Sequence, residues 1–324
     1  MAFQKTAAMT RVAVLDDYQH RAEGFADWAS LGPQVTTAFF HHSMDESALV
    51  AQLAEFDVVV LMRERTALPR RILEQLPELR LLVTTGMGNA SVDRGYLQER
   101  AITFAGTQGG GAGGPVEIAW GRIFATAKRL VIEDRAIRAG SWQLGFPATL
   151  QGSVLGVAGL GRLGAGMVPG ARAFGMEVIA WSENLTEERA AEVGVARVTK
   201  QQLLADSDVL SIHLVLSDRT RGLFGKDELA AMKSSAIIIN TSRGPIIDES
   251  ALIDALSSNA IGGAGLDVYD KEPLPSDHPL LGLENTVLAP HLGYVSEKGI
   301  RTMYEQAVED IAGFLAGQEV RVIK

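Results

Sequence analysis

Short runs of aliphatic and β-branched residues alternate with stretches whose apolar positions recur every three to four residues through the first third of the chain. The runs at 11–15, 35–40, 57–62, 79–85 and 102–105 predict strands, and 46–55 and 69–76 predict helices between them. Strand-like runs that alternate with helix-like ones predict a small parallel α/β unit. It breaks at 106–115, GTQGGGAGGP, where six of ten positions are glycine and no regular element is expected. Pro115 suits the first turn of a helix, and 116–139 carries few breakers, predicting one long helix that ends near Gly140. A second α/β series follows, with strands at 154–158, 177–181, 209–215, 236–240, 264–268 and 286–289 and a last helix over 295–315.

Composition narrows the picture. The 324 residues exceed the size at which one core usually divides, so two domains are expected. With 47% hydrophobic and 21% charged residues the chain has ordinary globular composition. No apolar run approaches the roughly 18 residues of a membrane span, and the first ten residues lack a signal-peptide core, which reads as a cytoplasmic protein. The absence of cysteine excludes disulfides, thiolate catalysis and cysteine-held metals. A net charge of −9 argues against nucleic acid or anionic membrane as partner and points to a small molecule. The histidines form no spacing that would hold a metal, so none is expected.

Chemistry first appears at 156–167, GVAGLGRLGAGM, where Gly159, Gly161 and Gly164 make a GxGxxG spacing between a predicted strand and a predicted helix. Such a turn lets the backbone approach a pyrophosphate and offers it free N–H groups at the helix start. The same fingerprint asks for an acid about 20 residues on, at the end of the next strand, to hold the ribose hydroxyls. Here Ser182 stands at that position and Glu183 follows it. A carboxylate there repels a 2′-phosphate, and no Arg or Lys follows until Arg189, so NAD is favoured with NADP as the alternative.

Open parallel sheets place ligands beyond the carboxyl ends of their strands. Three successive late strands are followed by TSRGP with Arg243, YDKEP with Glu272 and PHLG with His291. A guanidinium can pair with a 2-oxo acid carboxylate, an imidazolium can protonate the neighbouring carbonyl as hydride arrives, and a carboxylate can orient that imidazole.

The segments TTGMGNASVD (84–93), GLGRLG (159–164), IHLVLSDRT (212–220), NTSRGPIIDE (240–249), GLDVYDKEP (265–273) and PHLG (290–293), in this order, resemble the D-isomer-specific 2-hydroxyacid dehydrogenase family over nearly the whole chain. The resemblance implies two doubly wound parallel-sheet α/β domains. A Rossmann NAD-binding domain, 107–293, would be inserted into a discontinuous flavodoxin-like substrate domain, 1–106 plus 294–324. It implies Arg243, Glu272 and His291 as the catalytic residues, and backbone groups of Gly86, Met87 and Gly88 beside Arg243 for the substrate carboxylate. Thr107, Arg162, Leu163, Thr241, Asp267 and His291 would join the glycines, Ser182 and Glu183 at the cofactor. It also implies a homodimer formed through 116–150 and a hinge including the glycine stretch 106–114; it places His213 in a motif beside the cofactor, yet that residue reads as structural. Ser182 departs from the family's usual Asp. Arg63 and Arg65 are candidates for a second anionic group of the substrate, against a solvated loop. A non-enzymatic NADH-sensing corepressor-like protein would carry the same trio and is the alternative.

Overall fold

The chain is described by a computed structural model covering residues 9–108 and 113–323. The described residues up to 108, together with those from 296 onward, form one compact unit; 113–295 form the other. Positions 109–112 of the glycine stretch, four of the nine of the expected hinge, lie outside the described residues.

In the first unit all five strands are parallel: β1 (Thr10–Val14), β2 (Val35–Phe39), β3 (Val58–Leu61), β4 (Leu81–Thr84) and β5 (Thr103–Gly106), in spatial order β2-β1-β3-β4-β5. That is the flavodoxin order, in which the chain reverses direction across the sheet beside β1. Strand β3 is VVVL and every residue of it is buried, as is every residue of LLVT in β4. Strands without alternation between apolar and polar residues are those covered on both faces. One layer of the core gathers Leu15, Leu53, Val59, Leu61, Leu82 and Phe104. The helix Glu297–Leu315 belongs to this unit and buries Met303, Tyr304, Ala307 and Ile311, with Tyr304 against the edge of Trp28. Beyond it, Val322 pairs antiparallel with Ala105, and Ile323 N–H donates to the Phe104 carbonyl, so the free edge of β5 is covered.

The second unit holds seven parallel strands: β6 (Val154–Ala158), β7 (Glu177–Trp181), β8 (Ala196–Arg197), β9 (Val209–Ile212), β10 (Ile237–Asn240), β11 (Gly263–Leu266) and β12 (Thr286–Leu288). Their order, β12-β11-β10-β9-β6-β7-β8, runs outward in both directions from the β6–β9 pair. That pair is the switch point where a doubly wound sheet opens its ligand crevice.

Two expectations are corrected. The single helix over 116–139 is two helices, Gly113–Ala127 and Leu130–Arg138, because Arg129 adopts a left-handed conformation with φ of 54°. The expected strand over 209–215 stops at Ile212; His213 donates its N–H to the Ala158 carbonyl and the chain then leaves the sheet.

Candidate active site

At the switch point, β6 ends in Gly159, with φ of +98°. A Cβ there would lie 2.7 Å from the His213 carbonyl oxygen, and a Cβ on Gly164 would collide with the Gly159 carbonyl. The backbone is therefore pressed into a turn that only glycine fills. Gly161 begins the helix Arg162–Ala173 without a side-chain cap and with open space where its Cβ would be. Uncapped N–H groups at the start of a three-turn helix are an anion site, and the turn fits a dinucleotide pyrophosphate. Arg162 and Leu163 are the first helical residues, Arg162 exposed. Beyond β7, Ser182 is half-buried and Glu183 exposed. Both line a cleft of about 240 Å³ whose other wall comes from the loop after β9, with Leu214, Val215 and Arg219. Sequence reasoning missed Arg219, which lies well beyond Ser182 in the chain and reaches this cleft only because β6 lies between β7 and β9.

His213 stands under this turn. Its Nε2 meets the Ser211 hydroxyl at 2.8 Å, and burial lowers its pKa to about 4, so the ring is neutral at physiological pH. The structural reading of this residue agrees with that environment.

The three late strand ends are neighbours in the sheet. After β10, Asn240 is buried and staples the loop: its Nδ2 donates to the Arg243 carbonyl at 2.9 Å and its Oδ1 accepts the Ser242 N–H at 3.0 Å. The Ser242 hydroxyl donates to the Ile212 carbonyl, and the half-buried Arg243 donates from Nη1 to the Ser242 carbonyl at 2.7 Å. Thr241 is half-buried on the same loop. A Cβ on Gly244 would overlap the backbone of Tyr269 and Asp270, so the loops after β10 and β11 lie in direct contact.

After β11, Glu272 takes the Tyr269 N–H on Oε1 at 3.0 Å and the His291 Nδ1 on Oε2 at 2.8 Å. The His291 side chain is 15% exposed and that of Glu272 25%, so the pair is shielded but reachable. His291 itself has φ of 52°, a left-handed conformation that is unusual for a side-chain-bearing residue. Two groups hold that loop. The Tyr269 hydroxyl donates to the Ala289 carbonyl and accepts its N–H, and burial pushes its pKa up to about 12. Asp267, wholly buried, accepts the Leu292 N–H on one oxygen and the Gly293 N–H on the other, both at 2.8 Å. Burial raises its pKa, and these two bonds act against the rise. The structure thus ties Asp267 to the histidine loop, a role the sequence did not suggest.

In the first unit, β4 leads into Gly86, with φ of +102°, followed by exposed Met87 and Gly88. Gly86 donates its N–H to the Thr107 hydroxyl at 3.0 Å, and Thr107 is buried. Arg63 packs on the same turn: its N–H reaches the Thr85 hydroxyl, its Nη1 the Thr85 carbonyl, and a Cβ on Gly86 would overlap its guanidinium. Arg65 donates to the Asp16 carbonyl and lies over the Tyr18 ring. Both arginines are therefore engaged within their own unit.

The family model described as "D-isomer specific 2-hydroxyacid dehydrogenase, NAD binding domain" matches residues 120–293, which span every strand of the second unit. The chain is 32% identical to a glyoxylate reductase of Korarchaeum cryptofilum over 90% of its own length and 86% of that protein. It is 31% identical to a D-3-phosphoglycerate dehydrogenase of Archaeoglobus fulgidus, covering 86% of this chain and 53% of the longer relative. The crystal structure of phosphoglycerate oxidoreductase from Vibrio cholerae O395 superposes with a TM-score of 0.89 at 34% identity, over 95% of this chain and all of that one. Reductases and dehydrogenases among the relatives do not favour the non-enzymatic alternative. With a glycine turn at the switch point of its seven-stranded sheet and the family model matched across that unit, the chain belongs to the D-isomer specific 2-hydroxyacid dehydrogenases and is an NAD-dependent enzyme.

Proposed function

We propose that the chain interconverts a small 2-oxo acid and its D-2-hydroxy acid, with glyoxylate, hydroxypyruvate and 3-phosphohydroxypyruvate as the substrates to try first. The observation that carries this reading is the 2.8 Å contact between His291 Nδ1 and Glu272 Oε2. That contact commits one ring nitrogen to the carboxylate and leaves Nε2 as the atom that gives a proton to, or takes one from, the substrate oxygen. Bound NADH supplies the hydride equivalent. Arg243 holds the substrate carboxylate through its planar fork, which also fixes the direction of the adjacent carbonyl. Glu272 stabilises the protonated ring and fixes its orientation. Gly86 already donates to Thr107, so Met87 and Gly88 are the turn residues whose N–H groups remain proposed donors to the same carboxylate. The reading takes 1–106 with 294–324 as substrate domain and 107–293 as cofactor domain.

We further read the protein as a homodimer. Ile137, Trp142, Leu144 and Phe146 are each more than half exposed on the segment after the first long helix of the second unit, and Phe146 is fully so. Exposed large apolar side chains clustered in sequence mark an association surface.

The test is a matrix of 2-oxo acids against NADH, followed by absorbance at the reduced nicotinamide band. Turnover of at least one acid is expected. Binding of NADH with no turnover across the panel would return the protein to the sensor reading.

A further inference from the structure

Residues 321–323 follow the last helix and lie as a strap along β5, in the same unit as the turn at Gly86. The Gly106 N–H donates to the Arg321 carbonyl at 3.1 Å and the Ile323 N–H to the Phe104 carbonyl at 2.7 Å. Strap and turn meet at Gly106. A Cβ there would overlap the Gly86 carbonyl oxygen, and it would stand 2.8 Å from Ile323 Cδ1 and 3.3 Å from the Met87 Cα. Only a residue without a side chain lets these groups share one small space, so the tip of Ile323 is packed beside the turn. The next residue, Thr107, takes the Gly86 N–H on its hydroxyl. The turn is thus held at its amide by the end of β5 and crowded at its carbonyl by Gly106 and the strap.

The strap is itself locked. Arg321 has φ of 47°, an uncommon conformation for a residue with a side chain. Its guanidinium donates from Nε to Asp310 Oδ1 at 3.0 Å and from Nη2 to the Gln306 carbonyl at 2.7 Å, and Nη2 lies 2.8 Å from Glu309 Oε2. The Asp310 side chain is inaccessible to solvent and its Oδ2 has no hydrogen-bond partner among the described residues, so Arg321 is the group that offsets its burial. The Gln306 side chain also accepts the Gln108 N–H at 2.6 Å, so one helix fixes both the strap and the chain just beyond Thr107.

We infer that Arg321 and Ile323 are positioning residues for the substrate: Arg321 fixes the strap, and Ile323 holds the turn 86–88 where its N–H groups meet the substrate carboxylate. Both act through the turn and not on the reacting atoms. The inference rests on the proposed role of Met87 and Gly88 as donors to that carboxylate.

The experiment measures amide hydrogen exchange over residues 86–88 beside steady-state kinetics of the full chain, for the wild type, Ile323→Val, Ile323→Leu and Arg321→Ala. Ile323→Val deletes Cδ1 alone, whereas Ile323→Leu keeps δ carbons. The control is Leu49→Ala, which thins the core of the same unit at the helix Glu46–Leu53. Exchange at the turn should be several-fold faster in Ile323→Val and Arg321→Ala and near wild type in Ile323→Leu. In the first two, KM for the 2-oxo acid should rise about tenfold, the scale of one hydrogen bond to a charged group. Their kcat should stay within a few-fold and their NADH Kd within about twofold, because Arg243, His291 and the glycine turn are untouched. Leu49→Ala should lower Tm and move neither readout. Wild-type exchange at the turn in both Ile323→Val and Arg321→Ala, or an equal rise of KM in Leu49→Ala, would overturn the role of the strap. Faster exchange with KM unchanged would instead overturn the carboxylate-binding role of the turn.

Discussion

Replacement of Asp267 tests how the histidine loop is held. Its two carboxylate oxygens each accept one backbone N–H, from Leu292 and Gly293, at 2.8 Å, and the residue is inaccessible to solvent. In Asp267→Asn one oxygen remains an acceptor, while the amide nitrogen faces the second N–H and leaves it unsatisfied. One buried unsatisfied donor costs about 1–3 kcal/mol. Relief of the buried charge, whose cost appears as the raised carboxyl pKa, offsets part of this, so a net loss of about 2 kcal/mol is expected. For a folding unit of this size that corresponds to a fall in Tm of about 4–8 °C. Asp267→Ala removes both acceptors, and its loss should be roughly twice as large. The loop carries His291 directly before the two bonded residues, and an error of about 1 Å in a reacting group can cost on the order of 100-fold in rate. kcat should therefore fall in both variants, more in the alanine one, while the NADH Kd stays within a few-fold. Thermal unfolding, NADH titration and steady-state kinetics of the two variants make the assay. If Asp267→Ala melts within a degree of wild type and keeps its kcat, the two hydrogen bonds do not position the loop.

Further outcomes follow from other parts of the structure. His291→Ala should lower kcat by about 10²- to 10⁴-fold with NADH binding retained, measured by titration beside kinetics. Arg243→Ala should lose about 3 kcal/mol of substrate capture, near a 100-fold loss in kcat/KM borne mainly by KM. Gly164→Ala should abolish NADH binding, because its Cβ takes the space of the Gly159 carbonyl; unchanged affinity would mean the turn relaxes freely. Asp310 in the first unit is buried beside Arg321, and burial pushes its pKa up to about 7. The native state then keeps a proton that the unfolded chain releases near pH 4, so stability falls as pH rises from about 4 to 7, by up to about 4 kcal/mol. Urea midpoints at pH 5 and pH 8 should differ in wild type, and the difference should shrink in Asp310→Asn.

The strands and glycine turn of the fold were legible because their signals are local. VVVL and LLVT carry no alternation since both faces of each strand are covered, and a parallel sheet follows. The contact of Glu272 with His291 was legible through topology, since both follow strands that prove to be neighbours. The break at Arg129 was not, because no glycine or proline marks the left-handed residue. The two-residue strand β8 is exposed and has no apolar run to announce it. Arg219 reaches its cleft, and Asp267 its bonded N–H groups, only through sheet order or loop return, and no spacing in the chain encodes that.

The first unit takes its closing helix and edge segment from residues 296 onward, on the far side of the whole second unit. On a ribosome, which releases the chain from its amino end, strands β1–β5 emerge early and wait with the part of the sheet at β4 and β5 that this helix covers, and the β5 rim, bare while all seven later strands are made. The inserted unit, complete in one continuous stretch, matures before the unit that precedes it. Newly made chains therefore pass through a stage in which the cofactor half is finished and its neighbour is still open to chaperones.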